Sequence, residues 1–538
     1  MGLSDIVSAR VLLVDNFDNF RMAVMRLLQQ LGCEHVDTAV NGLDALRKCR
    51  NLQYDLVLCD FSLGQGKNGL QLLEQLRKEG QLKPGAIFVL LSDEFSKALV
   101  LAAADAEPDA FLTKPVSTKT LRDRLARLLQ QRRAMAPYWS ALNAGDRAKA
   151  IEICQVLSQA QGRYQNQVQK LLGQLLLEEK RYDSAEAFYR QVMTEREWDW
   201  AQLGIARVYA AQNDWQRAEH WLEQALVSNE NCLPALDLLA EMQAATGDPQ
   251  ARQAVLQQAV ELSPLSVVRQ QLLGQQALDN RQLLLAANAL RQAVRLGLHS
   301  CYDNPDVHLA FVRSCAELGY TDREKGQSFY KDAKRVLEEF DSRFTQEPEQ
   351  QLELRSVACA FNAIGGDAVY SRQLMQQMQA EHELISLPVT ILLDLASAAD
   401  YLQELALRDE LLEQLRQHHC QDQAVLEKVD VLLAEPLSRK KRERLASLNK
   451  QGIGLYESKN YPQALVCFEQ AMCEFPRHSG VALNLLQTIV AALGVAEEKE
   501  PHRRRGQVLI ERLQQGGELD IDQRDRFNRL RQQWAGMN

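Results

Sequence analysis

The stretch Tyr54-Asp-Leu-Val-Leu-Cys-Asp60 decides the fold class of the first part of this chain. Its Leu and Val residues predict a buried strand, and the strand stops at a carboxylate. A glycine-containing loop follows, and then leucines recur at helical spacing from Leu70 to Leu76, which completes one strand–helix unit of an α/β fold. Such folds place reactive groups at the carboxyl ends of their parallel strands, so Asp60 is a candidate functional residue.

The same alternation of strand and helix recurs through the first 130 or so residues. Each apolar run is followed by a segment with helical periodicity, which predicts a five-stranded, parallel, doubly wound sheet. The apolar runs lie at 10–14, 35–40, 54–59, 86–91 and 110–113. The polar residues at the predicted strand ends are Asp15, Asn16, Asp60, Ser92 and Lys114.

Four motifs carry these residues: Val-Leu-Leu-Val-Asp15, Leu-Val-Leu-Cys-Asp60, Phe-Val-Leu-Leu-Ser92 and Ala-Phe111-Leu-Thr-Lys114-Pro115. Their order and spacing resemble the receiver domain of bacterial two-component response regulators over about residues 9–132.

The resemblance implies that Asp60 is the phosphoryl acceptor and that the fold is flavodoxin-like. It implies Mg²⁺ as the cofactor, held by Asp15, Asn16, Asp60 and the backbone carbonyl of Ser62. Ser92, Phe111 and Lys114 would be the phosphoryl-contact and switch residues, and Lys114–Pro115 would be a cis bond. Phosphoryl transfer to a carboxylate needs positioning and neutralisation of negative charge, which a divalent cation and a lysine supply together.

Three departures from the receiver pattern bear on this site. Asn16 stands where most receivers have a second acid, so we expect weaker Mg²⁺ binding. The loop after Asp60 is longer than usual and lacks the common proline, and Glu107-Pro108 replaces the usual Gly-Ala pair before Phe111.

The glycines of the loop after Asp60 match a dinucleotide-binding fingerprint, Gly64-x-Gly66-x-x-Gly69. That fingerprint belongs to the first strand–helix turn of its fold, whereas this one follows the third strand. We interpret the three glycines as supplying positive φ in a long loop.

From about Tyr138 onward the chain becomes helical in pattern, rich in Leu, Ala, Gln and Glu. Small residues recur at a spacing of about 34, as at Ala206, Ala240 and Gly274, and this resembles the tetratricopeptide repeat (TPR). In that repeat, small residues let two antiparallel helices approach, and large ones fill the groove between pairs.

The predicted domains are a receiver at 1–132 and a TPR-like helical region at 133–538. Clear repeats lie at about 166–298 and 445–478. Residues 300–440 are interpreted as divergent helical hairpins that continue the solenoid, the alternative being a separate helical domain.

Composition limits the classes of function. The 538 residues carry a net charge of −9, which disfavours nucleic acid as a partner. No apolar run approaches the ~20 residues that a membrane span needs, and the eleven cysteines include no Cys-x-x-Cys pair. We therefore expect a cytoplasmic protein with reduced thiols.

The predicted function is a non-enzymatic response regulator in a two-component phosphorelay, in which phosphorylation of Asp60 controls the protein–protein interactions of a TPR scaffold. The expected partners are a sensor histidine kinase or phosphotransfer protein, and a protein or peptide in the repeat groove. Self-association is left open. The alternative is a degenerate or constitutive receiver, or a phosphoryl sink, on a structural TPR adaptor. A transcription factor is disfavoured because no terminal helix-turn-helix is evident.

Overall fold

A computed structural model describes residues 4–93, 96–159, 162–344, 347–494, 500–516 and 519–536. The amino-terminal part alternates strands and helices as the sequence predicts. Its elements are α1 (Ser4–Val7), β1 (Arg10–Val14), α2 (Asp18–Gln30), β2 (His35–Ala39), α3 (Gly42–Asn51), β3 (Leu56–Asp60), α4 (Gly69–Lys78), β4 (Ile87–Ser92), α5 (Lys97–Ala106), β5 (Ala110–Thr113) and α6 (Thr118–Ala134).

The five strands form one parallel sheet in the order β2-β1-β3-β4-β5. Apolar clusters lie on both of its faces, which is why the central strands β1, β3 and β4 read as continuous apolar runs. The register pairs Val14 with Cys59, Asp60 with Leu91, and Ser92 with Thr113. It therefore brings the ends of β1, β3, β4 and β5 to one edge of the sheet.

The rest of the described chain is helical, apart from turns and one short 3₁₀ segment, Leu384–Ser386. The helices are α7 (Ala136–Asn143), α8 (Arg147–Gln159), α9 (Gln165–Glu178), α10 (Tyr182–Glu195), α11 (Asp199–Ala211), α12 (Trp215–Ser228), α13 (Leu233–Thr246), α14 (Pro249–Leu262), α15 (Val267–Asp279), α16 (Leu283–Gly297), α17 (Pro305–Thr321), α18 (Arg323–Arg343), α19 (Pro348–Gly365), α20 (Ala368–Glu381), α21 (Val389–Tyr401), α22 (Leu405–His418), α23 (Gln423–Val429), α24 (Arg439–Glu457), α25 (Tyr461–Glu474), α26 (Ser479–Leu493), α27 (Glu500–Gly516) and α28 (Ile521–Ala535). Within the described ranges, no helix is long and apolar enough to cross a membrane.

Glycines on the repeat helices show why small residues recur. A Cβ added at Gly173 or at Gly204 would lie 2.5 or 2.3 Å from the ring of Tyr189, so this tyrosine packs directly against the backbone of two helices. The same relation of a glycine to a large side chain on the following helix recurs at Gly274 with Leu290 and at Gly452 with Phe468. The predicted pattern, in which a small residue on one helix faces a large side chain on a neighbouring helix, is confirmed.

The chain divides into two compact units, one of residues 1–318 with 328–340 and the other of residues 319–327 with 341–538. The first unit contains the whole sheet and the helices up to α16, so the receiver-like part and the first repeats belong to one compact body. In the second unit, α24 to α28 enclose an apolar core that includes Phe468, Leu486 and Trp534.

Candidate functional site

Two acids and a lysine meet at the carboxyl edge of the sheet. Asp15 directly follows β1, Asp60 is the last residue of β3, and Lys114 directly follows β5. Lys114 Nζ lies 2.6 Å from Asp15 Oδ2 and 2.9 Å from Asp60 Oδ2. Asp15 is 0% exposed and Asp60 is 2% exposed, so one lysine bridges two carboxylates that are withdrawn from water.

The pKa of Asp60 is raised above its usual 3.8, and burial is the main cause. Lys114 lowers it through a hydrogen bond and its charge, whereas the charges of Asp15 and Asp93 raise it further. A single lysine therefore does not offset the cost of burying this carboxylate. The site holds an excess of negative charge that a further cation would relieve.

Two oxygens in the site have no hydrogen-bond partner among the described residues. They are Asp60 Oδ1 and Asn16 Oδ1, and both are buried. Asp15 Oδ1, in contrast, accepts a hydrogen bond of 2.7 Å from the backbone N–H of Phe17. Buried polar atoms are normally satisfied, so two unpaired hard oxygens beside excess negative charge fit a site for a cation that prefers oxygen ligands, such as Mg²⁺.

The donor set has two carboxylates and an amide rather than three acids. Throughout the described ranges, no group of three or more His, Cys, Asp or Glu side chains comes together to hold a metal ion. The amide of Asn16 supplies an oxygen without a charge, as the sequence predicts.

The loop that carries Ser62 leaves β3 and returns at the start of α4. The N–H of Gly69 donates to the carbonyl of Phe61 at 2.8 Å and closes this loop. Ser62 is therefore the first loop residue after the residue that accepts this hydrogen bond. Asn68 caps α4 through a capping box with Gln71, which fixes where the helix begins.

The three glycines of this loop are required for different reasons. Gly64 and Gly66 have φ of +77° and +107°, as the sequence interpretation requires. Gly69 does not belong with them: a Cβ there would lie 2.3 Å from the backbone carbonyl oxygen of Asp60. A glycine is needed at this position because α4 closely approaches the end of β3. The prediction of a positive φ is therefore wrong for Gly69.

Ser92 and Phe111 occupy the strands on the other side of Asp60. Ser92 ends β4 and is 0% exposed, and Phe111 lies on β5 paired with Leu90, packed against the core on one face of the sheet. The peptide bond between Lys114 and Pro115 is cis, as the resemblance implies. The structure thus brings every side chain singled out from the sequence to the same edge of the sheet or to its bordering strands.

Two side chains of α2 that the sequence did not single out also border the site. Lys114 Nζ lies 4.0 Å from the centroid of the Phe20 ring, which orients the ammonium group. The guanidinium of Arg21 donates to the backbone carbonyl of Asp15 and pairs with Asp18. In the sequence, Phe20 reads only as one apolar position of an amphipathic helix, and nothing there indicates its contact with Lys114.

The replacement of glycine before β5 has a visible consequence. Glu107 ends α5 in the left-handed conformation, with φ of +48° and ψ of +53°. This conformation is unfavourable for a residue with a Cβ. Arg77 donates to the carbonyls of Ala106 and Glu107 and so holds the turn.

Two family models match separate segments of the chain. The model of the response regulator receiver domain matches residues 11–126, and a tetratricopeptide repeat model matches residues 176–242. Chemotaxis protein CheY-3 of Vibrio cholerae is 28% identical over 122 residues, which are 23% of this chain and 92% of that protein.

Further relatives match a similar share of the chain. Chemotaxis protein CheY of Pseudomonas aeruginosa is 24% identical over 122 residues, 23% of this chain and 97% of that protein. Among solved structures, chemotaxis protein CheY4 of Vibrio cholerae, crystallised at low pH, is 28% identical with a TM-score of 0.21 and covers 22% of this chain and 98% of that chain. The chain therefore contains a response regulator receiver domain at residues 11–126 and tetratricopeptide repeats at residues 176–242.

Proposed function

We propose that the chain is a response regulator of a two-component phosphorelay, in which phosphorylation of Asp60 controls the protein–protein interactions of a TPR scaffold. The observation that carries the proposal is that the two oxygens of Asp60 have different surroundings. Oδ2 is held by Lys114 at 2.9 Å, whereas Oδ1 is buried and has no partner among the described residues. Oδ1 is therefore the open oxygen of Asp60, and we assign it to the incoming phosphoryl group, with Oδ2 as the Asp60 oxygen that would face the cation.

The proposed reaction transfers a phosphoryl group from a phosphohistidine to Asp60. A bond forms between phosphorus and Asp60 Oδ1, the phosphorus–nitrogen bond of the donor breaks, and the departing imidazole takes a proton from solvent. Lys114 contacts the phosphoryl oxygens after transfer, and the hydroxyl of Ser92 and the ring of Phe111 respond to them. Such a transfer depends on positioning and charge neutralisation, which suits a site with one fixed ammonium group.

Receiver domains generally bind Mg²⁺ at their acidic phosphorylation site, and we propose the same here with weakened affinity. Asp15, Asn16, Asp60 and the carbonyl of Ser62 would hold the ion, which supplies positive charge for the transferred group. The weakening follows from Asn16, because its amide oxygen attracts a divalent cation less than a carboxylate does.

The proposed domain boundaries are 1–132 for the receiver and 133–538 for the helical repeats, with 300–440 as hairpins that continue the solenoid. The proposed partners are a sensor histidine kinase or phosphotransfer protein at Asp60 and a protein or peptide in the repeat groove. We place this exchange in the cytoplasm and assign the chain no further catalytic activity. The TPR region would act as the output by holding or releasing its partner.

The test is phosphorylation by a small-molecule donor. Wild-type chain, Asp60→Asn and Asn16→Asp are incubated with acetyl phosphate and Mg²⁺, and acid-labile phosphate is measured by intact mass. We expect one phosphoryl group on the wild type, none on Asp60→Asn, and half-maximal labelling at a lower Mg²⁺ concentration for Asn16→Asp. A wild-type chain that stays unlabelled at saturating Mg²⁺ would show that Asp60 is not an acceptor.

The second candidate is a degenerate or constitutive receiver, or a phosphoryl sink, on a structural TPR adaptor. Asn16 favours it, because the site lacks one of the acids that usually hold the metal. Partner capture separates the two: a switch binds its partner differently with and without phosphate on Asp60, whereas an adaptor or a sink does not.

A further inference from the structure

Helix α4 of the receiver lies against the carboxyl end of α16 in the repeats. The side-chain amide of Gln71 donates from Nε2 to the backbone carbonyls of Leu296 and Leu298, at 3.1 and 3.2 Å. The last carbonyls of a helix lack partners within the helix and carry the negative end of its dipole. Gln71 therefore caps α16 from outside the repeat region.

Two lysines of the receiver reach the same segment. Lys67 Nζ donates to the backbone carbonyl of His299, and Lys78 Nζ donates to that of Cys301 at 2.9 Å. Lys78 Nζ also lies 4.7 Å from the centroid of the Tyr302 ring. Cations are favourable at the carboxyl end of a helix. We call the bonds from Lys67, Gln71 and Lys78 to residues 296–301 the α4–α16 contact.

A buried arginine makes a second contact between receiver and repeats. Arg269 of α15 is 7% exposed, and its guanidinium donates to both oxygens of Asp105 at 2.5 and 3.0 Å. It also binds Asp237 within the repeats at 2.7 and 2.8 Å, and Ser263 Oγ donates to Asp105 at 3.2 Å. A bidentate pair at a buried guanidinium fixes orientation as well as distance.

The α4–α16 contact begins on the segment that directly follows the phosphorylation site, and the Arg269–Asp105 pair begins on the next helix of the receiver. Lys67 lies in the loop that starts after Asp60, and α4 starts at Gly69, whose backbone abuts the Asp60 carbonyl. Asp105 lies on α5, the helix that follows β4 and Ser92. A rearrangement of the loop after Asp60 would therefore reach the repeats through α4.

We propose that the α4–α16 contact and the Arg269–Asp105 pair form a latch, which is closed while Asp60 is unmodified and opens when Asp60 carries a phosphoryl group. The latch rests on the proposed function, since it requires Asp60 to be the acceptor. A phosphoryl group adds about 1.5 to 2 negative charges and three acceptor oxygens. Because Asp60 is 2% exposed, the loop after it has to make room, and that loop carries Lys67 with its bond to the carbonyl of His299.

The coupling between the latch and the phosphoryl state is reciprocal: if the phosphoryl state favours the open latch, a variant with an opened latch binds a phosphoryl mimic more tightly by the same factor. This reciprocity gives a quantitative test. The probe is beryllofluoride with Mg²⁺, a stable phosphoryl mimic, and its binding to the full chain is followed by fluorine NMR. The latch variants are Asp105→Asn and Gln71→Glu. The matched control is Asp123→Asn on α6, where the carboxylate is 51% exposed and pairs only loosely with Arg122 at 3.6 Å.

We expect Asp105→Asn and Gln71→Glu to reach half-saturation at beryllofluoride concentrations at least about fivefold lower than the wild type, the low end of typical allosteric coupling. Asp123→Asn should match the wild type. Hydrogen exchange at residues 296–303 of the wild type should rise on saturation and stay unchanged in Asp60→Asn.

Two failures are distinguishable. If the wild type binds beryllofluoride at Asp60 while both latch variants bind with wild-type affinity and exchange at 296–303 does not change, the latch is overturned and phosphorylation stands. If the wild type takes up neither beryllofluoride nor phosphate, the proposed function fails and the latch fails with it. Urea unfolding of each variant checks that an altered affinity does not come from a misfolded receiver.

Discussion

Replacement of Lys114 by methionine removes the charge from the site and keeps a side chain of similar length. In the wild type, Lys114 Nζ touches carboxylate oxygens of Asp15 and Asp60, at 2.6 and 2.9 Å. These acids are 0% and 2% exposed, so the variant leaves two buried carboxylates beside each other without the cation that joins them. Removing one partner from a buried ion pair costs about 3–5 kcal/mol, a large share of the stability of a single domain.

The loss is measured best by native-state hydrogen exchange at β1 and β3, because a chain with two compact units does not unfold in one step. Protection of residues 10–15 and 56–60 should fall by roughly a hundredfold to a few thousandfold, since every 1.4 kcal/mol is a factor of ten. Lys114→Arg, which keeps the positive charge, is the control and should lose less protection.

Magnesium supplies a second arm to this experiment. Millimolar Mg²⁺ should restore protection in Lys114→Met more than it raises protection in the wild type, because the ion returns positive charge to the same oxygens. Protection in Lys114→Met within about threefold of the wild type would refute the reasoning that charge neutralisation holds these strand ends together. Equal effects of Mg²⁺ on both chains would refute the assignment of the metal to this site.

Three further predictions address single residues around the site. Gly69→Ala, whose Cβ would lie 2.3 Å from the Asp60 carbonyl oxygen, should lower exchange protection of β3 and weaken beryllofluoride binding, and an unchanged variant would contradict the close approach. Glu107→Gly should stabilise the receiver by up to about 1 kcal/mol in hydrogen exchange at β5, because glycine adopts the left-handed conformation with φ of +48° without penalty; a destabilised variant would count against that explanation. Burial, and then the charge of Asp105, raise the pKa of Glu74 from 4.5 to about 7, so folding favours its protonated form. The stability of the receiver should therefore fall as the pH rises from about 4.5 to about 7, by at most roughly 3 kcal/mol, and level off above that range. Glu74→Gln should abolish that fall when native-state hydrogen exchange is followed across the same pH range, and an equal fall in both chains would exclude Glu74 as its source.

The sequence was sufficient for the order of elements because the central strands β1, β3 and β4 are buried on both faces. Such strands appear as short apolar runs, and they lie close to the predicted positions, for example Arg10–Val14 and Ile87–Ser92. Since the carboxyl ends of parallel strands share one edge, residues such as Asp15, Asp60 and Lys114 could be expected to meet. The repeats were visible because close packing of helices requires a small residue in each copy. Gly173 is an example, since Tyr189 packs directly against the backbone of its helix.

Contacts between residues that are distant in the sequence leave no periodic pattern in it. The need for glycine at Gly69 comes from the backbone of Asp60, and the role of Phe20 comes from a lysine on another strand. A glycine in a loop and an apolar residue in a helix look the same whether or not such a neighbour exists.

The sequence by itself determined the fold class, the helical repeats and the set of polar residues at the strand ends, because burial on two faces gives continuous apolar runs and helix packing gives a periodic pattern. Only the tertiary structure decided that one lysine bridges both acids, that Asp60 Oδ1 has no partner among the described residues, and that the receiver is bonded to the repeats. Gln71 and Leu298 are far apart in the chain, and their contact depends on the angle at which two packed segments meet. That angle is set by the sum of many side-chain contacts, and no local pattern records it.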